Sequence, residues 1–295
     1  RIQDGADDFP LQYFFDVRDA IKRIRLENTH LEESELFDLR RSLQTINDIV
    51  RYLNRAEDKG EDVDPAPLYP ALYRLTQDVA TYPQLVQGID QILDKFGHIR
   101  DNASPELLNI RRELARAESS VSKTLYSILR SAQSEGLVDK DVTPTLRDGR
   151  LVIPVMPGMK RKISGIVHDE SATGKTVFIE PSEVVEANNR IRELESEERH
   201  EIIRILTTFT NKVRPHSRDI LESYSFLAII DFIRAKAELA KLTKAIEPEI
   251  TDKPHVDWIQ SRHPLLQLSL EKQGKKVVPL DIILNNEKHI LIISG

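Results

Sequence analysis

The chain has 295 residues, a formal charge of −6, 40% hydrophobic and 31% charged residues and only 6% aromatics, which leaves room for two cored domains and excludes a disordered or collagen-like chain. The acidic balance excludes a surface that attracts nucleic acid all over, so phosphate contacts would have to come from a local patch. The absence of cysteine excludes disulfides, thiolate metal sites and a cysteine nucleophile, and with no apolar run of the roughly 18 residues a membrane span needs, a polar, acidic start and no paired histidines, the chain reads as cytoplasmic, without a membrane partner and without a metal.

From Val17 to Phe96 apolar residues such as Val17, Ile21 and Ile24, then Leu36, Leu39, Leu43, Ile46 and Val50, recur at three-to-four spacing, which predicts several short helices packed as a body over residues 1–103. Pro65, Pro67 and Pro70 break the pattern, and the acidic stretch 56–64 reads as a loop. Ser104-Pro105-Glu106 places an N-cap, an N1 proline and an acidic first turn in order, and Leu107, Ile110, Leu114, Ala117, Val121 and Ile128 continue to a stop at Gly136. Residues 104–136 therefore form a helix of roughly 45 Å at about 1.5 Å per residue, too long for an ordinary core.

Between 137 and 180 the character changes. Segments 150–155, 163–168 and 176–180 are β-branched or alternating and are separated by Asp148-Gly149, Pro157-Gly158 and Thr173-Gly174, which predicts a small antiparallel sheet. A second long helix follows Glu180-Pro181-Ser182 to about Val213, and between Glu186 and Glu201 only Ala187, Ile191 and Leu194 are apolar. That stripe suits one partner helix and is too thin for a globular core. Two helices of matched length joined through a compact β unit are expected as an antiparallel pair carrying that unit at its tip. Residues 226–242 (Leu227, Ile230, Ile233, Leu239) read as a return helix, closing a segment 181–246, and 247–254 as a linker. From 255 to 295, three stretches read as short strands: 263–266, 276–279 and the apolar 289–295. A glycine directly after such a strand is how phosphate-binding loops begin.

Ser171-Ala172-Thr173-Gly174-Lys175-Thr176 ends like a P-loop, but Asp169 stands where the earlier glycine is needed and a strand follows where a helix is needed, so it reads as a β-turn. Arg147, Arg150, Lys160, Arg161, Lys162 and Lys175 concentrate positive charge in the β unit. They read either as contacts to a phosphate backbone or as charges that keep strand edges soluble. His168 reads as a hydrogen-bonded strand residue, and Glu193, Glu197 and Glu201, interleaved with Arg190, Arg192, Arg199 and Arg204, as surface ion pairs.

Four stretches resemble the MutS family, and more closely its second, Smr-bearing branch, which lacks the mismatch-reading domain: residues 147–155; 165–174 with Phe178-Ile179-Glu180-Pro181; Arg262-His263-Pro264-Leu265-Leu266; and Val278-Pro279-Leu280-Asp281-Ile282 followed by 290–295. Leu280 stands where relatives usually have asparagine. The resemblance implies a mainly α fold: a helical core (1–103), a first lever helix (104–136), a reduced β clamp (137–180), a second lever with the return helix (181–246) and, over 255–295, the start of an α/β ATPase domain cut short. It implies a homodimer that encloses branched or structured DNA in repair or recombination, or engages collided ribosomes and their rRNA. It also implies ATP and Mg2+ as cofactors of the whole protein, and a nuclease linked to the Smr domain. Val277 and Val278 would lie against adenine and Gly295 would open the phosphate loop. No catalytic residue is expected within the chain, since the phosphate-binding lysine and magnesium ligands would follow residue 295. The rival expectation is a coiled-coil docking scaffold that holds protein partners without touching nucleic acid.

Overall fold

A computed structural model describes residues 9–11, 14–56 and 66–293 and divides the chain into two compact units, Arg1–Tyr224 and Ser225–Gly295.

In the first unit, helices α1 (Arg18–Arg23), α2 (Glu33–Leu53), α3 (Pro70–Tyr73) and α4 (Pro83–Ile92) make up the helical body. The α2 helix starts on a capping box in which Glu35 accepts from the Glu32 backbone N–H at 2.9 Å. It then buries Leu36, Leu39, Leu43, Ile46 and Leu53 on one face, as the three-to-four spacing requires. Proline at N1 starts α4. The acidic loop expected at 56–64 lies outside the described residues except for Ala56, which forms a bridge with Pro67.

Two long helices leave this body, α5 (Pro105–Ser134) and α6 (Val185–Val213), each about 45 Å long. At the N-terminus of α5 the Ser104 hydroxyl accepts from the Leu107 N–H at 3.0 Å and donates to Glu201 at 2.5 Å. At its C-terminus Gly136 adopts φ +70° and Leu137 N–H reaches back to Ala132 O at 2.8 Å, a Schellman closure that only the left-handed glycine permits without strain. The pair runs antiparallel, since Ser104 meets Glu201, Arg111 meets Glu198 at 2.7 Å and Glu113 meets Arg190 at 3.1 Å.

Each end of this pair belongs to a different core. Leu107 of α5 and Ile205, Leu206, Phe209 and Val213 of α6 join the helical body's cluster. Gly88 allows Phe209 to sit this close, because a Cβ there would lie 2.7 Å from its ring. At the other end Val121, Leu125, Leu129 and Ala132 of α5, with Ile191 of α6, pack against the sheet. The expected arm with a β unit at its tip is therefore the architecture found.

The sheet comprises β1 (Thr145–Arg147), β2 (Arg150–Val155), β3 (Gly165–Glu170) and β4 (Val177–Pro181) in the order β1-β2-β4-β3, antiparallel throughout. Ile153 faces Ile179 and Val155 faces Val177 across the ladder, and these four supply the face buried on α5. The strand β1 was not anticipated. It is three residues long and too polar for alternation to mark it.

The following helix α7 (Ser217–Thr243) starts nine residues before the expected 226, and its Ile220 and Tyr224 belong to the first unit's core. The second unit continues with the irregular 247–254, β5 (Val256–Ser261), α8 (Pro264–Lys272) and β6 (Leu280–Leu284), with β5 and β6 antiparallel. Three strand expectations are corrected here. The stretch at 263–266 begins a helix, because His263 caps it by accepting from Leu266 N–H at 3.3 Å and Pro264 occupies N1. The stretch 276–279 is irregular and pairing begins only at Leu280, after a proline that has no N–H to donate. Residues 289–293 form no strand, because a strand needs a neighbouring ladder and none pairs with them among the described residues; Ser294 and Gly295 lie outside those residues. In this region Ile259, Val278, Ile290 and Ile292 are each at least 76% exposed.

Candidate nucleic-acid interface

The six cations singled out in the β unit do not form one patch. Arg147 and Arg150 face each other across the β1–β2 hairpin, whereas Lys175 lies on the β3–β4 turn beyond Val177, the partner of Val155. Five residues of β2 separate the two ends, roughly 17 Å at about 3.4 Å per residue. Lys160, Arg161 and Lys162 sit on the connection that crosses from the end of β2 to the start of β3.

Arg150 faces inward. Its guanidinium donates to Glu180 at 2.7 Å and to Asn189 at 2.7 Å, and its side chain is only 15% exposed. Glu180 is fully buried and also accepts from Asn188 at 2.8 Å, while His168 Nε2 stands 2.5 Å from its other oxygen. Burial pushes the Glu180 carboxyl up, but the hydrogen bonds from His168, Asn188 and Arg150, with Arg150's charge, outweigh it and hold the group below the usual carboxylate value. The extra residue of the bulge in β3 is His168, between Val167 and Asp169, and the bulge is what turns its ring towards Glu180. Through Asn188 and Asn189 this network ties the sheet to the first turns of α6. The hydrogen-bonded reading of His168 holds, and the buried carboxylate that organises the network was missed. A glutamate amid Val177-Phe178-Ile179 was the available signal, since an acid at a strand position with apolar neighbours is buried only with partners.

Arg147 lies over the Phe178 ring at 4.2 Å and remains exposed. The other four cations are freer. Lys160, Arg161 and Lys162 are exposed on a turn that is pinned on both sides by apolar anchors, Met159 before and buried Ile163 after, both packed in the sheet's core. Among the described residues no ion pair or side-chain hydrogen bond engages these three or Lys175. Such a turn offers three adjacent positive charges on a fixed backbone, which suits phosphate oxygens and carries no base-specific geometry.

Ser171-Ala172-Thr173-Gly174 is the β-turn read from sequence: Gly174 N–H donates to Ser171 O at 2.7 Å, with Gly174 at φ +66°. Glu193 and Glu197 pair with Arg190 at 3.2 and 3.1 Å, in line with the ion-pair reading. Glu201, read from sequence as a surface ion pair, is instead buried, because it faces the α5 cap from α6: it accepts from Arg204 twice at 2.6 Å and from Ser104, and those hydrogen bonds, against its desolvation, hold its carboxyl below the usual value. Val277 is half-buried and Val278 is 86% exposed, so Val278 has an apolar face open to a flat ring, and the two valines fit an adenine only through such apolar contact. Among the described residues no helix is long and apolar enough to cross a membrane.

No family model matches the chain. Three curated relatives, each named Endonuclease MutS2, match nearly all of it: one from Geobacillus sp. (strain WCH70), 35% identical over 97% of this chain; one from Enterococcus faecalis, 34% identical over 100%; and one from Halothermothrix orenii, 32% identical over 95%. The chain spans 34–36% of these relatives' own length.

Proposed function

We propose that this chain, which belongs to the MutS family in the branch of the MutS2 proteins, forms the core, lever and clamp of a DNA-binding ATPase, and that the clamp holds the phosphate backbone of branched or structured DNA. The observation that carries this reading is the turn Lys160-Arg161-Lys162, three exposed and unengaged cations on a sheet seated at the end of a lever pair opposite the helical body. Lys175 and Arg147 extend the positive surface towards the two ends of the sheet, while Arg150 holds the sheet to α6.

In the whole protein, ATP and Mg2+ supply phosphoryl-transfer chemistry, with Val277 and Val278 against the adenine and Gly295 at the start of the phosphate loop. The levers transmit the nucleotide state to the clamp as stiff rods in a homodimer, and the cleavage stated in the relatives' name belongs to the same whole protein. Ribosome engagement is a second use of the same cationic turn, on rRNA phosphates.

Replacing Lys160, Arg161 and Lys162 with alanine tests the clamp. Each lost phosphate contact lowers the log–log salt slope of binding by about 0.9, so three lower it by about 2.7, or about 40-fold less affinity change between 50 and 200 mM salt on a four-way junction. An unchanged slope overturns the reading and favours the docking scaffold. Co-sedimentation of the whole protein with junction DNA or with ribosomes separates the two targets.

A further inference from the structure

The outer face of α5 carries a second set of cations that the clamp reading does not use. Arg112, Arg116, Lys123 and Arg130 are all exposed, and at about 100° per residue they fall within an arc of about 40°. Ser119, Tyr126 and Ser127 flank the same arc within about 40° of its edges, also exposed, with Tyr126 at 47%. The four acids of this segment, Glu106, Glu113, Glu118 and Glu135, stand at least about 60° outside it, and Glu113 is turned to Arg190 of α6. The apolar seam Leu107, Ile110, Leu114, Val121 and Leu125 lies on the opposite side of the helix, so the carboxylates of α6 are screened by the full width of α5, about 10 Å. Among the described residues no ion pair or side-chain hydrogen bond engages any of the four cations.

A solvated helix in this chain normally mixes its charges. The same α6 that packs against the seam interleaves glutamate and arginine and pairs them, as Arg190 does with Glu193 and Glu197. Four cations on one line, with hydroxyls beside them and the helix's own acids held off the face, cost mutual repulsion and recover no ion pair or side-chain hydrogen bond among the described residues. From Arg112 to Arg130 is 18 residues, about 27 Å of helix at about 1.5 Å each, or about eight base-pair steps at about 3.4 Å.

We infer that the outer face of the first lever helix is a duplex-DNA backbone surface, in which Arg112, Arg116, Lys123 and Arg130 neutralise phosphates and Ser119, Tyr126 and Ser127 donate hydrogen bonds to phosphate oxygens. The inference deepens the DNA-binding reading and rests on it: the duplex lies along the lever instead of touching only the clamp. The contact is independent of base sequence, because four point charges and three hydroxyls on a helix exterior meet the backbone and reach no base edge.

The test measures binding of a labelled 30-base-pair duplex to the 295-residue chain by fluorescence anisotropy between 50 and 200 mM salt. A variant carrying Arg112→Gln, Arg116→Gln, Lys123→Gln and Arg130→Gln keeps exposed, helix-favouring side chains, so circular dichroism is expected to be unchanged. Its log–log slope is expected to fall by about 3.6, four contacts at about 0.9 each, which removes about a 150-fold affinity change across that salt range. Lysine at 112, 116 and 130 is expected to keep the slope, since a phosphate contact here asks for charge and not for a guanidinium fork. If the glutamine variant keeps the native slope while the Lys160/Arg161/Lys162 variant lowers it, the lever surface is refuted and the clamp stands. If neither lowers it, both readings fall. A loss confined to a 30-base-pair RNA duplex, or confined to poly-L-glutamate with DNA unaffected, overturns the assignment in favour of RNA or of an acidic protein partner.

Discussion

Replacing Glu180 with glutamine should loosen the clamp while leaving the helical body intact. The carboxylate is fully buried and serves Arg150, His168 and Asn188 together, and Asn188 is itself 2% exposed. An amide offers one acceptor oxygen and two unwanted donors, so Arg150 keeps its charge without a counter-ion. Breaking a buried pair in this way costs about 3 to 5 kcal/mol; because Arg150 retains Asn189 and some solvent, the lower figure applies, about 3 kcal/mol. The chain has two compact units, so a single melting temperature is the wrong readout. Hydrogen exchange resolved by segment is the right one: amides of β2 and β4 that exchange through clamp opening should speed up by about 150-fold, since about 1.4 kcal/mol corresponds to a factor of ten. Amides of α2 serve as the internal control. The same network sets a pH dependence. With its folded pKa held below the ordinary 4.5, Glu180 contributes stability that is fully present above about pH 4.5 and is lost as pH falls through the lowered folded value. Clamp protection should therefore decline below pH 4.5 in the native chain, and the glutamine variant should lack that component. Native-like exchange in residues 150–155 and 177–181 of the variant would refute the claim that this carboxylate holds the clamp.

Two further substitutions probe the arm. Gly165→Ala would put a Cβ 2.2 Å from the Glu180 carbonyl oxygen, a backbone atom in the β3–β4 ladder with no flexible end to move; a loss of about 3 kcal/mol in clamp opening is expected, at the upper end of overpacking costs, visible as faster limited proteolysis between 156 and 176, and unchanged cleavage there would count against the register. Ser104→Ala removes both the cap on Leu107 N–H and the hydrogen bond to Glu201, with an expected cost of about 1 kcal/mol confined to the first turn of α5; unaltered exchange of its first-turn amides would show that the cap contributes nothing.

The long helices and three of the four clamp strands, β2, β3 and β4, were legible because their signals are local. Ser104 and Pro105 start α5, Gly136 stops it, the thin apolar stripe of α6 admits one partner helix, and β2 coincides with its β-branched run. In the second unit the same cues misled, since the apolar content of 263–266 and 289–293 was compatible with strand or with other backbone, and His263-Pro264 decides for a helix start. The α5 cations were also within reach of sequence, as a charge period of four and seven, but the apolar period on the same helix is the stronger pattern and conceals it.

What the sequence by itself determined is where the long helices α5 and α6 and the strand β2 lie and turn their apolar sides, because capping, periodicity and left-handed glycines act within a few residues. Which charges end up together was decided only by the tertiary structure. Strand order and register send Arg150 inward to Glu180, separate Lys175 from Arg147 by the length of the sheet, and leave Lys160, Arg161 and Lys162 exposed. Electrostatic partnership depends on distance through space, and distance through space is set by packing between segments far apart in the chain.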